Sequence, residues 1–223
     1  MNVVLFGATG MVGAGALIEC LADPRVTSVV AITRSPLGRS HAKLREVIHR
    51  DFFAYDTLKE DFAGCDASFF CLGVSSVGMS ESDYTHLTYD LTLAAARAMA
   101  AVNTHLTFCY VSGVGTDSTE RGRTMWARVK GRTENALLAM PFKAAYMLRP
   151  GYIQPIGDVR SKTGWVQAAY SVLAPLYPVL HRLLPNSSTT TANLGRAMIE
   201  VADSGYPKRI LYSRDFNALA GRR

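Results

Sequence analysis

A few residues in this chain are of types, and at spacings, that could do chemistry. Gly7, Gly10 and Gly13 punctuate the opening run GATGMVG. Arg34 and Ser35 follow a second apolar run, Ser112 closes a later one, and Lys130 stands four residues after Trp126. Glycines spaced in this way suit a phosphate-binding turn. Gly7 can turn the chain tightly, Gly10 lets backbone approach a pyrophosphate with no Cβ in the way, and Gly13 lets a helix lie close to a sheet. The helix that follows would offer free N–H groups and the positive end of its dipole. The spacing is GxxGxxG rather than GxGxxG, so an ordinary tight turn without a ligand stays open as an alternative.

Arg34 lies where the second strand of a dinucleotide fold meets the adenosine ribose. An acidic residue there accepts from the 2′-hydroxyl of NAD, whereas an arginine pairs with the 2′-phosphate of NADP. With Ser35 as a second donor, Arg34 points to NADP(H); a solvated loop charge is the plainer use. Asp51 follows a third strand and either accepts from an adenine amino group or caps the next helix. Ser112, at a strand end, either donates to a substrate carbonyl or caps a turn. Lys130 can bind ribose hydroxyls and can lower the pKa of a neighbouring phenol. Alone on a helix, it would be a solvated charge.

These residues need a scaffold. The sequence predicts strands at Val3–Phe6, Val26–Thr33, Leu44–Arg50, Asp66–Leu72, Leu106–Ser112 and Ala144–Leu148. Helices are expected at Met11–Leu21, near Tyr55–Phe62, at Asp83–Ala101 and at Thr124–Met140. The near-continuous apolar strands fit a parallel sheet covered on both faces. Strand–helix alternation through residue 150 predicts an α/β fold, a doubly wound parallel sheet of the Rossmann-like kind. Residues 1–150 would form the nucleotide-binding core, and 151–223 a smaller substrate or lid region whose strand at 209–212 returns to the sheet. Within it, Asn193–Ala202 reads as an amphipathic helix and Phe216–Leu219 as a small cap. The apolar, aromatic stretch Trp165–Leu184 reads as a pocket roof, with a membrane-surface element as the alternative.

Composition narrows the class. The chain has 223 residues, 48% of them hydrophobic, and a net charge of +6 that is scattered along the sequence, with a small cluster at Arg222 and Arg223. No basic stripe interleaved with aromatics appears, so no nucleic-acid partner is expected. The four cysteines, Cys20, Cys65, Cys71 and Cys109, form no CxxC pair and read as buried thiols in a reducing compartment. No signal peptide, metal-ligand spacing or eighteen-residue apolar span is visible, which together suggest a cytoplasmic protein without a membrane span.

Taken together, the segments GATGMVG (7–13), ITRSPL (32–37), RDF (50–52), CLG (71–73), YVSGVGTDS (110–118), KGRTENAL (130–137) and LRPGYI (148–153) resemble the atypical short-chain dehydrogenase/reductases. The likeness is to the NmrA-like and Tat-interacting-protein-like groups. RDFNAL (214–219) adds a weaker match. The resemblance implies that Thr9, Gly10, Met11 and Val12 line the pyrophosphate and that Arg34 takes the NADP 2′-phosphate. It places Leu72 and Gly73 beside the adenosine half, Lys130 on the nicotinamide ribose, and Ile153 by the nicotinamide ring next to Pro150. Arg160 would lie near the phosphates. The family's Tyr-x-x-x-Lys reads Trp126-Ala127-Arg128-Val129-Lys130 here. An indole N–H is far too weak an acid to deliver a proton. The expectation is therefore an NADP(H)-dependent oxidoreductase of an unknown small molecule, using another acid or a hydride transfer that needs no protonation at that position, or a non-catalytic NADP(H)-binding sensor with a protein partner. For the enzyme, Tyr152, Tyr110 or Ser112 with water are the substitute acids. Trp126 would either stack on a flat substrate or shield the cofactor.

Overall fold

The computed structural model describes residues 1–156 and 187–221. Arg160, the 165–184 stretch and the Arg222–Arg223 pair lie outside the described residues.

The chain runs β1 (Asn2–Phe6), α1 (Met11–Ala22), β2 (Ser28–Thr33), β3 (Leu44–Ile48), α2 (Lys59–Ala63) and β4 (Ala67–Phe70). It continues with α3 (Glu81–Thr85), α4 (Leu91–Val102), β5 (Thr107–Val111), α5 (Met125–Leu138), β6 (Ala144–Arg149) and β7 (Tyr152–Gln154). Past residue 187 come β8 (Ser188–Thr190), α6 (Thr191–Asp203), β9 (Ile210–Tyr212) and α7 (Ser213–Ala220).

Seven strands form one sheet in the order β3-β2-β1-β4-β5-β6-β9, with every pairing parallel. The order reverses between β1 and β4, which makes the crevice there a topological switch point. The alternation along β1 shows why the sheet needs helices on both sides. Val3 and Leu5 belong to one apolar cluster with Leu17, Cys109, Leu194 and Phe216. Val4 and Phe6 face the other, with Phe62, Met99, Phe108 and Tyr110. A strand with both faces buried can be apolar throughout, and this one is.

The described part of 151–223 completes one layer of this same core. β9 pairs with β6, and α6 packs on α1 through small residues. A Cβ on Gly15 would come within 2.5 Å of Thr191 Cβ, and one on Gly195 within 3.0 Å of Ala16 Cα. β7 and β8 pair in a separate two-stranded parallel sheet that the sequence pattern did not reveal. Three-residue strands carry too little periodicity to read.

Two helix expectations change. The stretch near Tyr55–Phe62 is a 3₁₀ turn at Asp56–Leu58 followed by the short α2. The helix expected at Asp83–Ala101 is α3 and α4 joined by a π turn at His86–Asp90, where the Leu91 N–H reaches back to the His86 carbonyl. No helix among the described residues is long and apolar enough to cross a membrane.

Candidate functional site

The site is built at the carboxyl ends of adjacent strands β1, β4, β5 and β6, from the turns that leave them. After β1 the chain turns at Gly7, whose φ of +79° favours glycine. A Cβ there would lie 2.7 Å from the Cys71 carbonyl oxygen. Gly13 is needed for a different contact: its Cβ would sit 2.1 Å from the Gly7 carbonyl oxygen, so the first turn of α1 rests on the turn itself. Gly10 differs from both. Its backbone is extended, and a Cβ would meet only the Gly7 carbonyl, at 3.4 Å. Packing among the described residues therefore does not demand glycine at Gly10. α1 starts at Met11 with no side-chain cap and no acidic residue in its first turn, which leaves its N-terminal N–H groups to an outside anion.

A cleft of about 370 Å³ opens over this turn. It is lined by Gly10, Met11 and Val12 from the first loop and by Leu72 and Gly73 after β4. Ser112 after β5, Lys130 on α5, and Pro150 and Ile153 after β6 line it as well. Residues separated by over a hundred positions thus meet at one cleft. Cys71 and Val111 also line it and were not singled out from sequence for this role. Burial pushes the Cys71 thiol up to about 12, so it remains protonated and unreactive. Gly7, Gly13 and Thr9 shape the loop without lining the cleft. Arg34 and Ser35 are exposed just past β2, the strand beside β1, and the Arg34 side chain has no partner among the described residues.

Other expected residues take different places. Asp51 caps no helix: its Oδ1 accepts from the Phe53 N–H at 3.0 Å within a local turn, and it is exposed. The Ser112 hydroxyl does not point to a substrate. It is buried and donates to Glu134 Oε1 at 2.5 Å. Trp126 does not line the cleft; its ring lies over Gly115, where a Cβ would meet Trp126 Cη2 at 3.2 Å. Tyr110 sits in the core under α5, beside Thr133 and outside the cleft lining, and burial holds its phenol well above the ordinary value. The Tyr152 hydroxyl donates to Gln154 Oε1 at 2.8 Å.

Beneath the cleft lies an ion pair that sequence reasoning missed. Glu134 is fully buried, and Arg149 is 7% exposed. Arg149 Nη2 meets Glu134 Oε2 at 2.5 Å, and its Nε lies 3.1 Å from Oε1. Arg149 also donates to Ser118 Oγ and to the Tyr212 hydroxyl. The signal was present in the strand AAYMLR, where one charge ends an otherwise apolar run, and at Glu134, one helical turn after Lys130. Lys130 is half-buried and donates from Nζ to the Ser112 carbonyl oxygen at 2.5 Å. Burial lowers its pKa to about 8, against the raising influence of the Glu134 carboxylate.

No family model matches the chain. Over 159 residues it is 31% identical to "Protein fmp52, mitochondrial" of Emericella nidulans, an alignment covering 68% of this chain and 66% of that protein. Over 156 residues it is 29% identical to "Protein FMP52, mitochondrial" of Eremothecium gossypii, covering 69% and 66%. The chain thus spans just under two thirds of the length of these relatives. Their names overturn the cytoplasmic expectation, since they point to the mitochondrion. The expectation rested on the lack of a visible signal peptide, which is a secretory feature and says nothing of an organelle. Among solved structures, the Bordetella bronchiseptica enzyme WbmF in complex with NAD⁺ superposes with a TM-score of 0.70 at 13% identity, covering 97% of this chain and 76% of that one. A UDP-glucose 4-epimerase from Thermotoga maritima, with UDP-glucose, gives 0.66 at 12% identity, covering 98% and 81%. At such identities the likeness establishes architecture: the chain has a Rossmann-like fold, a seven-stranded parallel sheet between helical layers, shared with these structures.

Proposed function

We propose that the cleft binds NADP(H) and that the protein is an atypical short-chain dehydrogenase/reductase acting on a small-molecule substrate. The observation that carries the reading is Gly10. It is a glycine that packing among the described residues does not require, set at the uncapped N-terminus of α1 and opening onto a cleft that also holds Lys130. That is what a pyrophosphate pressed against backbone would require. Met11 and Val12 would then face the phosphates. Leu72 and Gly73 would flank the adenosine half, with Asp51 farther out. Lys130 would hold the nicotinamide ribose, and Pro150 with Ile153 would back the ring. Arg34 and Ser35 would take the 2′-phosphate. The similar enzyme WbmF is described in complex with NAD⁺, which supports a nicotinamide dinucleotide as ligand class. When bound, such a cofactor supplies or accepts a hydride.

Titration calorimetry of the purified protein with NADPH and NADH tests the reading. NADPH is expected to bind more tightly. Arg34→Ala should weaken NADPH by roughly 10- to 100-fold, the worth of one charge-assisted phosphate contact, with little change for NADH. Equal loss for both nucleotides would refute the 2′-phosphate role, and no heat with either would end the proposal.

One observation favours a second reading, an NADP(H)-binding sensor that reports to a protein partner: Trp126 stands where the family's phenol acts, and it packs on Gly115 rather than lining the cleft. Loss of NADPH absorbance with a panel of ketones, quinones and enones separates the two. Tight NADPH binding without turnover of any compound would select the sensor.

A further inference from the structure

A carbonyl reduction needs a proton at the substrate oxygen as well as a hydride at carbon, and the hydroxyls expected to give it are committed elsewhere. The Ser112 hydroxyl donates to Glu134, that of Tyr152 donates to Gln154, and Tyr110 is buried in the core beside Thr133, outside the cleft lining. The Trp126 indole is outside the cleft lining and is not an acid at accessible pH. Resting on the oxidoreductase reading above, we propose that the Lys130 ammonium is itself the proton donor, doing directly what it would otherwise do through a phenol.

The geometry suits the role. Lys130 is the only cationic side chain among the described residues lining the cleft, and its bond to the Ser112 carbonyl uses one of the ammonium's three N–H groups. The charged or titratable groups around it come from four elements. Glu134 is one turn on along α5, with Arg149 from β6 and the Tyr110 phenol from β5 beside it, and the Cys71 thiol follows β4. Glu134 would lock the proton on Lys130 if it paired with it directly. Instead, Arg149 and Ser112 occupy its oxygens, and no Lys130–Glu134 hydrogen bond forms among the described residues. Burial brings the ammonium's pKa to about 8, where proton release near neutrality is feasible. In reduction, the carbonyl carbon receives a hydride from the reduced dinucleotide and the C=O π pair moves to oxygen. A Lys130 N–H bond breaks as the new O–H bond forms, and water returns a proton to the neutral amine. One carbonyl, one NADPH and one solvent proton give one alcohol and one NADP⁺.

The test uses the full chain, NADPH and the carbonyl panel. Lys130→Arg keeps the charge and the donors but holds its proton too tightly to release it. With NADPH held saturating for each variant by its own measured affinity, we expect Lys130→Arg to lose roughly 100-fold or more in single-turnover NADPH oxidation. Wild-type kcat/KM should fall as pH rises through about 8, where the donor deprotonates. A readout independent of activity is the pH dependence of acetylation at Lys130 followed by mass spectrometry, with an expected midpoint near 8. An acetylation midpoint at the ordinary lysine value near ~10.4 would overturn the proposal. So would Lys130→Arg turning over at the wild-type rate with an unchanged pH profile, and that result would leave the oxidoreductase reading standing. No turnover by wild type with NADPH bound would remove both.

Discussion

Glycine spacing in the first loop is one signature with three separate physical causes. Gly7 adopts a left-handed φ, and Gly13 gives way to a carbonyl oxygen, both inside the protein. Among the described residues, Gly10 has neither reason. Two substitutions should therefore part company. Gly13→Ala drives a methyl into the Gly7 carbonyl and is expected to destabilise the fold by roughly 2–4 kcal/mol in urea denaturation, as overpacking against rigid backbone does. Gly10→Ala should leave the midpoint nearly unchanged, yet weaken NADPH binding tenfold or more in calorimetry. Loss of stability at Gly10 with binding intact would mean that this glycine serves the chain and not a ligand. Sequence placed these three residues in the loop; assigning a cause to each took the neighbours that folding brings, such as the Cys71 carbonyl 64 positions from Gly7.

At the scale of elements, α5 joins the cleft to the sheet beneath it. Lys130 reaches up from this helix, while Glu134, a turn later, is pinned by Arg149 at the end of β6. A buried carboxylate costs desolvation that only its partners offset. Arg149→Met would strand Glu134 without its cation and is expected to cost about 3–5 kcal/mol by chemical denaturation. Replacing both members, Glu134→Leu with Arg149→Met, should recover much of that loss, because an apolar pair needs no compensation. A double variant as unstable as the single one would show that the pair contributes more than mutual neutralisation. The element boundaries were largely readable, since β1, β2, β4, β5 and β6 are short apolar runs closed by turn residues. The π turn at His86–Asp90 was not. It shifts the hydrogen-bond register of a helix whose apolar periodicity scarcely changes.

For the molecule as a whole, the nucleotide would bridge turns that leave four strands, β1, β4, β5 and β6. A ligand that binds only the folded state stabilises it by mass action, about 2.7 kcal/mol at 100 times its dissociation constant. For a chain of 223 residues, this corresponds to a rise in melting temperature of roughly 5–11 °C. Differential scanning fluorimetry with saturating NADPH should show a shift of that size, and Arg34→Ala should shrink it. An unchanged melting temperature at saturation would contradict binding across those turns.

The doubly wound sheet was legible in the order of residues because parallel strands buried on both faces must be apolar throughout and must alternate with helices. The glycine loop and the spacing of Trp126 to Lys130 were legible for a related reason, since each is a matter of residue type at a short separation along the chain. The fate of the Ser112 hydroxyl, the Glu134–Arg149 pair and the packing of Trp126 on Gly115 were not. Each depends on which groups meet across elements, and a hydroxyl at a strand end is equally able to face a ligand or a buried carboxylate until folding brings one of them within 2.5 Å.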